Sequence, residues 1–112
     1  SRYSRFNQQK IEWLTSSATE SMVAELDKEF GKGAVKAEMG PTEPISLKGV
    51  QYAAKKYATY TVKGQRREQG WIYGFTEPWQ IFIIYTIFEP GGEKDRQDLK
   101  KILDSFEVIR KK

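Results

Sequence analysis

The chain has 112 residues, enough for one domain with one core, and no shift in composition marks a second. It contains no cysteine and no histidine, which excludes disulfides, thiolate nucleophiles, zinc ribbons, and the commonest general base and transition-metal ligand. Basic residues exceed acidic ones by only 19 to 15, a net charge of +4, so charge alone favours an acidic or nucleic-acid partner only where it clusters.

Residues 1–9 are polar and basic and read as a flexible arm ahead of a single α+β domain over 10–112. Lys10 to Leu14 reads as a short strand. Ser17-Ala18-Thr19-Glu20 has the form of a capping box, in which the hydroxyl and the carboxylate satisfy each other's backbone donors. Thr19, Met22, Val23, Leu26 and Phe30 follow at helical spacing, and Gly31 and Gly33 supply a stop, so a helix is predicted over 18–30. Ala34 to Met39 is expected to be extended, with a loop from Gly40 to Pro44.

The period then changes to two. Val50, Tyr52, Ala54, Ala58, Tyr60 and Val62 fall on one face of a long strand, with Lys56 the one charged member of that face. Lys63 to Arg67 is expected to turn the chain into a second strand, Gln69 to Thr76, with Trp71, Tyr73 and Phe75 on one face. Trp79 to Phe88 is apolar on both faces, which predicts a central strand covered twice. A helix is expected from about Asp95, with Leu99, Ile102, Leu103 and Phe106 as its buried stripe, and Glu107 to Arg110 as a closing strand. Helices flanking a meander give the expected fold: an antiparallel β-sheet sandwiched between helices.

Ile45-Ser46-Leu47-Lys48-Gly49, the small-residue strand Val50 to Tyr60, the aromatic hairpin, Pro90 and the closing run Ile102-Leu103-Asp104-Ser105-Phe106-Glu107-Val108-Ile109 together resemble PsbP/Mog1-like domains over about residues 45–109. The resemblance implies the same helix–sheet–helix architecture and a non-enzymatic role. Such domains serve as accessory subunits of photosystem II, as a Ran-binding transport factor and as parts of exported lipoproteins. These roles share no ligand, so the fold does not choose among them.

Four basic residues are the expected partner contacts: Lys63, Arg66 and Arg67 on the predicted turn, and Lys55 on the strand before it. The rings Trp71, Tyr73, Phe75, Trp79 and Tyr85 would stack single-stranded bases if exposed, but their size favours packing beneath a helix. Lys56 reads as a snorkelling stem, since nothing near it in sequence supports a nucleophile. Glu89, Glu93, Asp95 and Asp98 could gather around a hard cation, yet their spacing does not match a calcium loop and fits ordinary helix-start acidity.

These readings give a non-catalytic accessory or protein-interaction domain with no cofactor and no metal, whose partner is a protein rather than a nucleic acid. The alternative is a nucleic-acid-binding module that uses the aromatic sheet face and the basic turn. The start at Ser1 fits an upstream signal or anchor, hence an exported or membrane-tethered setting, and fits a trimmed chain equally. The longest apolar run, Ile81 to Tyr85, is too short to span a bilayer, so no transmembrane segment is expected.

Overall fold

Asn7 starts the first helix: its side-chain oxygen accepts from the Lys10 backbone N–H at 2.7 Å. The computed structural model describes residues 5–109. Helix α1 runs unbroken from Gln8 to Phe30, and Gly31, at φ 98°, ends it with its N–H on the Asp27 carbonyl. The expected strand at 10–14 and the cap at Ser17 are therefore corrected to helix. No glycine or proline interrupts 8–30, and Ile11, Leu14 and Thr15 already carry the helical period. Residues 8 and 9 of the expected arm belong to this helix, and Phe6 stacks on Phe75 at 4.1 Å between ring centroids. Residues 1–4 of that arm lie outside the described residues.

The buried stripe of α1 is Ile11, Thr15 and Thr19, while Met22, Val23 and Leu26 are half-buried and Phe30 is exposed. Two threonines in the contact are tolerated because each hydroxyl donates to the carbonyl four residues back, Thr15 to Ile11 at 2.7 Å and Thr19 to Thr15 at 3.1 Å. Their small size lets the helix approach the sheet at Ala54 and Ala58, which are fully buried.

Five strands form one antiparallel sheet: β1 (Glu38–Met39), β2 (Glu43–Pro44), β3 (Tyr52–Val62), β4 (Gln65–Thr76) and β5 (Trp79–Phe88). The order is β1-β3-β4-β5, and β2 also pairs with the outer side of β3. The β3–β4 hairpin turns on Lys63 and Gly64, both at positive φ (50° and 79°), as a two-residue turn requires to match strand twist. The predicted turn is thus shorter than expected: Arg66 and Arg67 lie within β4, paired with Thr61 and Tyr60.

Residues opposite one another in an antiparallel ladder share a face. Tyr73 and Phe75 of β4 join Ala54 of β3 and Ile11 of α1 in one buried cluster, with Leu14 and Tyr52 packed against it. The opposite face carries Leu47, Ala53 and Ile72, on which rest Leu103 of helix α2 (Gly92–Ser105) and Phe106 just after its end. The α+β fold, with a helix on each face of an antiparallel sheet, follows from these two clusters. Helix α2 begins three residues before the expected Asp95, where Gly91 takes the left-handed conformation and Glu89 accepts from the Gly92 N–H at 3.2 Å. Ile102, expected in its stripe, lies on the helix flank and is 59% exposed.

Strand β5 is the edge of the sheet, not its centre. The sequential hairpins place it beside β4, and the chain then leaves into α2 across the face. The expected closing strand reduces to a single parallel bridge between Glu107 and Lys48, near the other edge, with Arg110 outside the described residues. Among the described residues, no helix is long and apolar enough to cross a membrane.

Candidate functional site

The face under α2 carries a charged cleft of about 420 Å³, bounded by Ile45, Leu47, Leu99 and Leu103 and floored by Glu68 and Tyr85. Its geometry starts from Gly70. A Cβ there would overlap the Tyr85 ring, so only glycine lets that ring lie across β4 from its cross-strand position on β5. Tyr57, on the other side of Gly70, lies over Gly40 in the same manner. Thus placed, the Tyr85 hydroxyl donates to Glu68 Oε2 at 2.8 Å. Burial, then this hydrogen bond, pushes the phenol far above its ordinary value of 10.

Arg96 of α2 completes the network, 3.2 Å from Glu68 and 2.5 Å from Glu89. Its hydrogen bond holds the Glu89 carboxyl below its ordinary value of 4.5, and the Gly92 N–H acts in the same direction. The guanidinium is therefore spent on two carboxylates that lock α2 to β4 and to the end of β5. Lys55, whose ammonium stands 6.0 Å from the Tyr85 ring centroid, lies at the margin of the cleft.

The four predicted partner contacts do not converge. Lys63 is at the hairpin tip. Arg66 points to the α2 face, where it donates to Thr59 Oγ1 at 3.2 Å. Arg67 points to the α1 face, its guanidinium 5.2 Å from the Phe88 ring centroid and its Nε buried without a hydrogen-bond partner among the described residues. Lys55 sits eight residues along β3 from Lys63, about 26 Å at strand rise. Lys56 reaches Ser16 Oγ of α1 at 3.3 Å and Thr42 Oγ1 at 3.2 Å, which accounts for a lysine on the helix-covered face. Of the acidic residues near the α2 start, Glu89 faces Arg96 and Asp98 faces Lys94 at 3.9 Å. No three acidic groups converge among the described residues.

The aromatic set also divides. Tyr73 and Phe75 are buried under α1, and Trp71 is half-buried, its indole N–H without a hydrogen-bond partner among the described residues. Tyr85 faces the other way, and Trp79, expected beneath a helix, is 60% exposed.

Four of the nine exposed large hydrophobic side chains among the described residues lie on β5: Trp79, Phe82, Ile84 and Phe88. Helix α1 lies over β3 and β4; a helix about 10 Å wide covers two strands spaced ~4.8 Å apart and leaves the third bare. Phe82 and Ile84, each 53% exposed, and Phe88, 45% exposed, project from this uncovered strip. Phe82 is held edge-on to Tyr73 and Trp71, with ring centroids 4.3 and 6.0 Å away. Sequence reasoning found the apolar residues of β5 but placed them in the core. The signal it lacked was strand order.

Comparisons with protein-family models, curated proteins and solved structures returned no match to the chain.

Proposed function

We propose that the chain is a non-catalytic protein-interaction or accessory domain whose docking element is strand β5. One observation carries this reading: a ten-residue edge strand with no charged residue presents half-exposed Phe82, Ile84 and Phe88 beside a backbone edge that no described strand pairs with. Such edges are blunted in proteins that use them for nothing, by charge, proline, bulges or a covering element. The spacing shared with PsbP/Mog1-like domains over 45–109 supports the same role, as does the commitment of Arg96, Glu68 and Glu89 to one another rather than to an open reactive centre. The nucleic-acid alternative loses support where α1 covers Tyr73 and Phe75 and where Arg66 and Arg67 diverge.

Site-specific photocrosslinking tests the assignment. A photoreactive phenylalanine analogue at position 84 is expected to capture a protein, whereas one at position 63, on the basic hairpin tip, captures neither protein nor nucleic acid above background. Nucleic-acid adducts at position 63 with none of protein at 84 would overturn it.

A further inference from the structure

The two edges of the sheet are built differently. On the outer side of β3, the edge is closed by β1 and β2, two residues each, in a segment that holds Pro41 and Pro44. Short strands and prolines are the usual protection against edge pairing. On β5 no such device is present. Its ladder to β4 runs without a bulge from Arg67↔Phe88 to Thr76↔Trp79, and no described strand pairs with its outer side. Helix α2 leaves from the end of β5 and packs on the face that carries Ile83 and Tyr85, where Leu103 joins their cluster, so it meets a face of β5 and forms no ladder with its outer side.

What fits this edge is written in the strand itself. Antiparallel pairing of β5 with the same strand of a second copy, about a two-fold axis through Ile83, places residues whose numbers sum to 166 opposite one another. Ile83 then meets Ile83, Phe82 meets Ile84, Ile81 meets Tyr85 and Trp79 meets Ile87, while Gln80 meets Thr86. From Trp79 to Ile87 each apolar residue opposes a residue with an apolar body, Gln80 and Thr86 oppose each other, Phe88 falls opposite Pro78 beyond the strand, and the Tyr85 ring stays turned across β4. Moving the axis to Ile84 destroys the match, setting Phe82 against Thr86 and Gln80 against Phe88. Cross-strand pairs are the unit of sheet stabilisation, and an isologous contact must be self-complementary.

We propose that β5 pairs antiparallel with β5 of a second copy about Ile83, joining two sheets into one continuous sheet and giving a closed two-fold dimer. The assembly closes because each chain offers one bare edge and one blunted edge. This inference rests on the reading of β5 as a docking element and names its occupant. Edge pairing covers less than the ~800 Å² per partner of a standard interface, so the dissociation constant is expected on the order of micromolar.

Sedimentation equilibrium over micromolar to near-millimolar protein is expected to show the mass rising from one chain to two. Ile84→Lys sets a lysine against Phe82 of the second copy and is expected to weaken association roughly tenfold or more. Ile102→Lys, on the exposed flank of α2, is the control and leaves the mass unchanged. Because the chain has no cysteine, register can be read directly. A mixture of Gln80→Cys and Thr86→Cys chains, both at exposed positions, forms a mixed disulfide on mild oxidation, while neither variant alone does so. This cysteine test stands even if Ile84→Lys fails to fold. A single-chain mass at every concentration, a dimer that Ile84→Lys leaves intact, or disulfides in the wrong combination would overturn the proposal. If the chain stays monomeric while position 84 still crosslinks to a different protein, the second-copy inference falls and the docking role of β5 survives. If both fail, both readings fall.

Discussion

Replacing Gly70 with alanine puts a Cβ into the volume that the Tyr85 ring occupies, and neither group can yield by a small adjustment because both sit on paired strands. The ring must swing off β4, which breaks the hydrogen bond from its hydroxyl to Glu68. A hydrogen bond to a charged group contributes about 1.5–3 kcal/mol. Returning ~40 Å² of ring surface to water costs about 1 kcal/mol more. The alanine regains ~0.5–1 kcal/mol through the smaller entropy of its unfolded chain. The net loss is about 2 kcal/mol. At an unfolding entropy of ~2.1 cal/mol/K per residue, this lowers Tm by roughly 8 °C for a chain of 112 residues. Thermal unfolding followed by circular dichroism measures it, and a double-mutant cycle isolates the cause. With Tyr85→Ala present, Gly70→Ala is expected to be neutral or slightly stabilising, a coupling of about 2 kcal/mol. An unchanged Tm in Gly70→Ala, or an equal loss in both backgrounds, would refute the reasoning that the glycine exists to seat the ring.

Three further outcomes are expected. The Glu89 carboxyl titrates lower in the folded chain than in the unfolded one, so its contribution is present above the ordinary value of 4.5 and is lost as pH falls through the lower, folded value. Melting curves between neutral pH and pH ~3 should therefore show a shallower acid loss for Glu89→Gln than for the parent, and parallel curves would contradict this. Acrylamide quenching of dilute protein should reach Trp13 and Trp79, 59% and 60% exposed, more readily than half-buried Trp71, so Trp71→Phe is expected to raise the apparent quenching constant and Trp79→Phe to lower it, and the reverse order would contradict the assignment. Lys63 holds φ at 50° in the hairpin turn, a conformation that asparagine adopts more readily, so Lys63→Asn is expected to raise stability by up to about 1 kcal/mol in urea unfolding.

Much of the fold is legible in the residues because its signals are local. The alternation through Val50–Val62 assigns Tyr52, Ala54, Ala58 and Tyr60 to one face, and the structure places that face under α1. Gly31 stops the helix where a helix stop was expected. The start of α1 is not legible locally, because Lys-Ile-Glu-Trp-Leu satisfies a strand period and a helical one alike, and Asn7 gives a quieter capping signal than Ser17-Ala18-Thr19-Glu20. The candidate site was legible only in part. The apolar character of β5 is plain in the sequence, and its place at an edge, which gives the pattern about Ile83 a meaning, is not.

Composition by itself removed cysteine and histidine chemistry, and periodicity by itself marked the three long strands, the faces of β3 and β4, and the end of α1 at Gly31. Only the tertiary structure decided that β5 is an edge, that Arg96 serves Glu68 and Glu89 across 28 and 7 residues of chain, and that Arg66 and Arg67 part to opposite faces. The physical reason is the range of the forces involved. A side chain's period records which way it points, which is local. Whether that direction meets a helix, another strand or water depends on strand order and on how much of the sheet one helix can cover, and neither is written in any short stretch of the chain.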